Sequence, residues 1–225
     1  MPWDEWIRTA EIEPSLYAAD FSQLGEQIDV LGRAGARIFH FDVGDGHFVP
    51  PITAGPIVLQ WISPIIHRYG GAVDCHLMTE QPERHFEAIA EAGGDSVTFH
   101  FEAVEDVPTT VRAARDHELQ VGLAFNPETN PEDAAAAADG VDLVLCMSIH
   151  PGYSGQSFMP EALGRVEKLR KLLPAGVHVQ VDGGVDPTNV GPLRAAGATL
   201  AVAGTAIFGS EDLPGAYLRL SRAFA

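Results

Sequence analysis

Eight short apolar runs separated by amphipathic stretches constrain this chain more than any other feature of its sequence. The runs predict strands at residues 12–17, 36–43, 71–77, 95–101, 120–125, 143–147, 178–181 and 200–203. Stretches such as 21–34, 82–92, 108–117, 131–138, 160–173 and 188–196 read as helices, many opening with Pro, Asp, Thr or Asn. Gly35, Gly93 and Gly197 each stand where a helix stops and a strand begins. The alanines from Ala134 to Ala138 read as a helix face packed closely on its neighbour. Strand–helix units in this number, within 225 residues, favour a closed (β/α)8 TIM barrel over an open doubly wound sheet. No linker divides the chain, so residues 1–225 are expected to form a single α/β domain, with residues 1–11 as an N-terminal extension. Trp3 and Trp6 in that extension suit a cover for the barrel bottom or a subunit interface.

A barrel of this kind builds its active site at the C-terminal ends of the strands. Ser15, His40 and Asp42, His76 and Met78, His100 and Glu102, Asn126, Met147 and Ser148, Asp182 and Gly204 all fall at or just past such an end. Polar residues with structural duties alone would scatter over both rims. Alternation along a strand places His40 and Asp42 on one face, and Gly44, Gly46 and Pro50-Pro51 then turn the chain out of the sheet. Two imidazoles, His40 and His76, and two carboxylates, Asp42 and Asp182, suit one divalent ion of the Zn, Fe, Mn or Co type; ligand chemistry does not choose among these metals. Two carboxylates beside a Lewis acid have a second use. If one removes a proton from a carbon next to a carbonyl and the other returns a proton to the opposite face, the carbon inverts, which is an epimerase reaction.

Three glycine-bearing turns, from Pro151 to Gln156, at Asp182-Gly183-Gly184 and at Gly204-Thr205-Ala206, follow the last three strands, where barrels frequently bind phosphate. None contains Lys or Arg, so backbone amides would carry the anion. The formal charge of −17, from 14 basic against 31 acidic residues, argues against a nucleic-acid or anionic-membrane surface. Cys75 and Cys146 lie in strand-like runs without a disulfide framework, the N-terminus has no signal-like apolar stretch, and no segment suits a membrane helix. A reducing, cytoplasmic location is the expectation.

These residues resemble the ribulose-phosphate 3-epimerases. The likeness runs from about Ile12 to Phe208, through Pro14-Ser15-Leu16, Ala19-Asp20-Phe21, the stretch from His40 to Pro50, Asp74-Cys75-His76-Leu77-Met78, Met147-Ser148-Ile149-His150-Pro151-Gly152, Gly155-Gln156-Ser157-Phe158, Val181-Asp182-Gly183-Gly184 and the stretch from Val202 to Phe208. It implies a metal-dependent barrel enzyme interconverting D-ribulose 5-phosphate and D-xylulose 5-phosphate, and a homo-oligomer. On that resemblance His40, Asp42, His76 and Asp182 are metal ligands, and Asp42 and Asp182 the acid/base pair. Ser15, His76, Met78, Met147, Gly152, Tyr153, Ser154, Gly155, Gly183, Gly184, Gly204 and Thr205 face the sugar or its phosphate. Gly44 replaces a usual methionine, Tyr17 a Leu, Ser154 a Gly or Ala, and His150 an Asn or another residue. A wider pocket at Gly44, with Tyr17 refilling it, is therefore expected, and a related substrate such as D-allulose 6-phosphate stays open. So does a non-catalytic phosphosugar-binding barrel.

Overall fold

A computed structural model describes residues 3–7 and 9–225; Met1, Pro2 and Arg8, parts of the expected N-terminal extension, lie outside the described residues. The elements follow in the order α1 (Trp3–Trp6), β1 (Glu11–Pro14), α2 (Leu24–Arg33), β2 (Ile38–Gly44), α3 (Pro56–His67), β3 (Ala72–Met78), α4 (Phe86–Glu91), β4 (Ser96–His100), α5 (Val107–Arg115), β5 (Gln120–Phe125), α6 (Pro131–Ala137), β6 (Leu143–Met147), α7 (Ala162–Leu172), β7 (His178–Asp182), α8 (Val190–Ala196), β8 (Leu200–Ala203), α9 (Thr205–Phe208) and α10 (Leu213–Phe224). All eight strands are parallel, in the order β1-β8-β7-β6-β5-β4-β3-β2. A bridge between Ser15 and His40 brings β1 beside β2 and completes a (β/α)8 TIM barrel.

Strand alternation sends one set of side chains outward, where Phe39, Phe41, Val97, Phe99, Val121, Val144 and Val179 pack under the helices. The inward set behaves differently on its two halves. Ile38, Ala72, Leu143, Leu145 and Leu200 join Trp3, Trp6 and Ile7 in a separate apolar cluster. The two tryptophan rings meet edge to face with centroids 5.0 Å apart. Of the two uses open to them in the sequence, they take the first and plug the barrel bottom. Most of the inward positions above this cluster on β1 to β4, and Gln180 on β7, are polar, namely Glu13 and Ser15, His40 and Asp42, Asp74 and His76, Ser96, Thr98 and His100, and Gln180, and all are buried.

Three local readings differ from the structure. The first strand stops at Pro14, and Leu16–Ala18 form a 3-10 turn, so Tyr17 is not a strand residue. Helix α3 runs Pro56–His67 with Pro64 inside it, and its almost uniformly apolar sequence hides the helical period. Helix α10 closes the ring behind α9, buries Tyr217, Leu220 and Phe224, and is capped by Asp212, whose side chain accepts from Gly215 N at 3.0 Å. Neither of these two helices stands among the stretches singled out from the sequence.

Because Trp6 is buried at the rim opposite the polar residues, Trp6→Ala should destabilise the fold by about 3 kcal/mol. Urea titration will measure this.

Candidate active site

Four polar side chains meet at the top of the barrel because each sits on an inward position near the C-terminal end of its strand. The register pairs His40 with Asp74 and Asp42 with His76 across β2 and β3, and Met147 with Asp182 across β6 and β7. His40 Nε2 lies 3.4 Å from Asp42 Oδ1 and 3.9 Å from Asp182 Oδ2. His76 Nδ1 lies 3.2 Å from Asp42 Oδ1 and 3.9 Å from Asp182 Oδ2. One ligand atom from each of the four falls within 4.8 Å of all the others.

The donors fit a divalent ion on the structure's own terms. His40 is wholly buried, and its Nε2, aimed into this cluster, has no hydrogen-bond partner. A buried nitrogen left in that state is costly unless a proton or a cation satisfies it. Its other nitrogen, Nδ1, donates to Asp74 Oδ2 at 3.2 Å, which leaves Nε2 facing the cluster. Two imidazoles and two carboxylates form a borderline set suited to first-row divalent metals.

Beneath the cluster is a layer of polar groups that sequence reading left without a role. Asp74 accepts from Ser96 Oγ at 2.8 Å, Thr98 Oγ1 at 3.0 Å and Gln180 Nε2 at 2.9 Å. Gln180 Nε2 also donates to both oxygens of Glu13 at 2.9 Å. The signal was in the spacing, since Glu13 precedes Ser15, Asp74 precedes His76, and Gln180 precedes Asp182 by the two residues that keep a side chain on one face of a strand.

Burial and neighbouring charge set the protonation of the site. Burial pushes Asp182 up to about 7, helped by the charges of Asp42 and Asp74 and opposed by His40. Burial also works against ionised Asp42, but the charge of His40, first, and the close approach of the His40 and His76 imidazoles outweigh it and hold Asp42 well below the usual carboxylate range. His40 is the mirror image: burial opposes its charge, and Asp42, Asp74 and Glu13 together raise it well above an ordinary imidazole. Glu13 is raised by burial to about 7, and His100 is pushed down by burial to about 4.

A cleft of about 530 Å³ opens above the cluster, and the remaining singled-out residues line it: Ser15, Met78, Met147, Gly152, Tyr153, Ser154, Gly155, Gly183, Gly184, Gly204 and Thr205, with Asp42 and Asp182 on its floor. His40 and His76 lie below the floor, without exposure. Ser15 Oγ donates to Asp42 Oδ2 at 3.0 Å. Ile149, Val185 and Val202 add apolar wall that the motifs did not single out. Gly183 and Gly184 have φ of +121° and +64°, and a Cβ on either would come within 2.5 Å of Ile149 or Phe158, so both turns require glycine.

Two expected departures in the pocket walls are corrected. Gly44 does not widen the pocket. Thr53 Oγ1 accepts from Gly44 N and donates to Asp42 O, both at 2.7 Å, and this draws the loop over the strand end. A Cβ at position 44 would lie 2.8 Å from Pro51 O and 3.0 Å from Val49 Cγ2, so there is no space there for Tyr17 to refill. Tyr17 lines the cleft instead, and its phenol is raised by burial and then by the charges of Asp42 and Tyr153. His150 is turned outward, with Nε2 2.6 Å from Glu128 Oε1, and takes no part in the sugar wall.

A profile of the ribulose-phosphate 3 epimerase family matches residues 11–208. The chain is 38% identical over 217 residues to ribulose-phosphate 3-epimerase 1 of Cupriavidus necator, covering 93% of this chain and 89% of the relative. It is 39% identical over 206 residues to the ribulose-phosphate 3-epimerase of Escherichia coli K12, covering 89% and 90%, and 40% identical over 203 residues to that of Schizosaccharomyces pombe, covering 90% and 89%. Among solved structures, a 3-hexulose-6-phosphate synthase superposes with a TM-score of 0.69 at 24% identity over 96% of this chain and 100% of the other. The orotidine 5'-phosphate decarboxylase of Pyrococcus horikoshii superposes with a TM-score of 0.68 at 15% identity over 95% and 98%, and both likenesses speak to the fold alone.

Gly44→Met forces a side chain against backbone and should lower stability by about 1–3 kcal/mol, together with turnover rather than raising it. Melting and steady-state assays on the same preparation read both effects. The raised carboxyls give a second expectation. In the metal-free fold Glu13 and Asp182 keep protons that the unfolded chain releases near about pH 4, so their contribution to stability declines as pH rises from there to about 7. A divalent ion must displace protons from the cluster, so the rise in melting temperature on adding Zn²⁺ or Mn²⁺ should be larger at pH 8 than at pH 6. Net proton release should accompany binding at pH 6, measurable by calorimetry in two buffers of different ionisation enthalpy.

Proposed function

The chain belongs to the ribulose-phosphate 3-epimerase family, and we propose that its cleft inverts carbon 3 of D-ribulose 5-phosphate to give D-xylulose 5-phosphate, and the reverse. It is an isomerase acting on carbohydrate. The observation that carries the mechanism is the meeting of Asp42 and Asp182 with two buried imidazoles at one point under the cleft. His40, Asp42, His76 and Asp182 would hold one divalent ion of the Zn, Fe, Mn or Co type. When bound, the ion supplies positive charge beside the sugar's carbonyl, which makes a proton on the adjacent carbon removable.

The remaining chemistry belongs to side chains. Asp42 and Asp182 approach the point under the cleft from opposite sides of the barrel, at the ends of β2 and β7, as a base and an acid serving two faces of one carbon require. One takes the proton from carbon 3 and the other returns one to the opposite face; in the reverse direction they exchange duties. Ser15 holds one oxygen of Asp42 and so fixes the orientation of the carboxyl. Met78 and Met147, both buried beside the cleft, cover the enediolate with a soft apolar surface and keep water from it. The turns at Gly152 to Gly155, Gly183, Gly184, Gly204 and Thr205 offer backbone amides to the phosphate, and among the described residues no Lys or Arg lines the cleft.

The case for a longer sugar rested on a wider mouth at Gly44, and the loop that closes over it removes that support. The proposal extends to a homo-oligomer, which the exposed Ile52, Ile57 and Trp61 support, and to a reducing, cytoplasmic setting, which the two free and buried cysteines support. No described helix is long and apolar enough to cross a membrane.

Proton NMR in D₂O, with protein loaded in turn with Fe²⁺, Mn²⁺ and Zn²⁺, tests the reaction: deuterium should enter carbon 3 with inversion of ribulose 5-phosphate. Asp42→Asn and Asp182→Asn should each lower inversion by about 10²–10⁴-fold, with at most single-face exchange remaining. Metal content is measured in both variants. Near-normal epimerisation by either would reject the acid/base pair.

A further inference from the structure

Beyond the four candidate ligands, a chain of hydrogen-bonding groups leaves the site on the side away from Asp74. His76 Nε2 lies 2.8 Å from His100 Nε2, and the two rings are stacked with centroids 5.0 Å apart. His100 Nδ1 in turn lies 3.3 Å from Glu102 Oε2. Glu102 is anchored from the far side, since Asn126 N donates to its Oε1 at 2.8 Å and the Thr129 hydroxyl donates to the same oxygen. Phe48, from the loop after β2, packs on the His100 ring at 4.8 Å.

Proton counting along this chain has one answer for neutral rings. Only one proton fits between two nitrogens 2.8 Å apart. An ionised Glu102 accepts and cannot donate, so His100 carries its proton on Nδ1 and presents a bare Nε2 to His76. His76 must then donate from Nε2, which leaves its Nδ1 bare. That bare nitrogen faces Asp42 Oδ1 at 3.2 Å and Asp182 Oδ2 at 3.9 Å. A lone pair set against carboxylate oxygens is repulsive, and a cation between them removes the conflict. The opposite tautomer would satisfy Asp42 with a proton, but it would turn a bare His100 Nδ1 toward the Glu102 carboxylate.

We propose that His100 and Glu102 are positioning residues that fix the tautomer of His76, so that its Nδ1 lone pair, and not an N–H, is presented to the cation site. The pair does for His76 what Asp74 does for His40, and it works through an intervening ring, from a carboxylate that follows β4 and is held by the loop after β5. This proposal rests on the metal-site reading given above.

The test is long-range nitrogen–proton NMR of the metal-free full chain labelled with ¹⁵N-histidine, together with Zn²⁺ affinity measured by competition with a chromophoric chelator. The parent should show His76 as the Nε2–H tautomer. His100→Phe keeps a ring against Phe48 but offers no acceptor, and Glu102→Leu removes the carboxylate. Both should move His76 toward Nδ1–H and weaken Zn²⁺ binding by about 10- to 100-fold. Glu102→Gln has one acceptor oxygen, which Asn126 N and the Thr129 hydroxyl claim, so its amide N–H faces His100 Nδ1 and it should shift His76 toward Nδ1–H in the same direction as Glu102→Leu. An Nδ1–H His76 in the parent overturns the proposal, and so does an unchanged tautomer with unchanged affinity in the variants. If His100→Phe does not fold, the parent spectrum and Glu102→Leu still decide. A parent that binds no Zn²⁺, Mn²⁺ or Fe²⁺ refutes the metal-site reading, while the tautomer spectrum still reports on the relay.

Discussion

One hydrogen-bonded carboxylate at the barrel's centre sets the terms for everything above it. Asp74 is fully buried, and burial by itself would strongly disfavour its charge. Hydrogen bonds from His40, Ser96, Thr98 and Gln180 hold it ionised, below the usual carboxylate range. Those donors come from three different strands, β2, β4 and β7, so the charge is stable only when the ring is closed and in register. Asp74 thereby makes the geometry of the site a property of the whole barrel. It takes the proton of His40 on one nitrogen and so directs the other nitrogen upward.

The barrel interior is consequently divided along its axis. Below, tryptophans and aliphatic side chains fill the space as in any core. Above, carboxylates, imidazoles, hydroxyls and an amide fill it, each gaining from its neighbours what burial removes. The perturbed ionisation of Glu13, His40, Asp42 and Asp182 follows from that division. The protein's overall negative charge has a counterpart in the cleft: an anionic substrate has to be met by amide dipoles at close range, since among the described residues no basic side chain lines the walls.

Much of this was legible in the sequence. Short apolar runs with Gly and Pro punctuation locate the eight strands, and the strict two-residue period places His40 with Asp42 on one face. The polar layer at Glu13, Asp74 and Gln180 obeyed the same period, yet each residue alone looks like an ordinary strand polar group; only the ring brings them together. Helix α3 escaped notice because a helix apolar on nearly every side has no amphipathic rhythm, and because Pro64 reads as a breaker where the turn simply omits one donor. Gly44 misled for a different reason. A missing side chain suggests a hole, but a loop folded over the position, pinned by Thr53, occupies the volume first. Local sequence reports which atoms are absent and is silent about which distant atoms move in.

The ring is not stitched evenly. Most neighbouring strands share four to seven register pairs, and β7 with β8 share three, whereas among the described residues one bridge, Ser15 with His40, joins β1 to β2. This lightly sewn seam runs directly past His40 and Asp42, the most deeply enclosed part of the candidate centre. The other seven junctions do not depend on it, so the β1–β2 seam is where the ring is held by the fewest backbone ties. The Ser15 hydroxyl, bonded to Asp42 Oδ2 at 3.0 Å, adds a side-chain tie across the same seam.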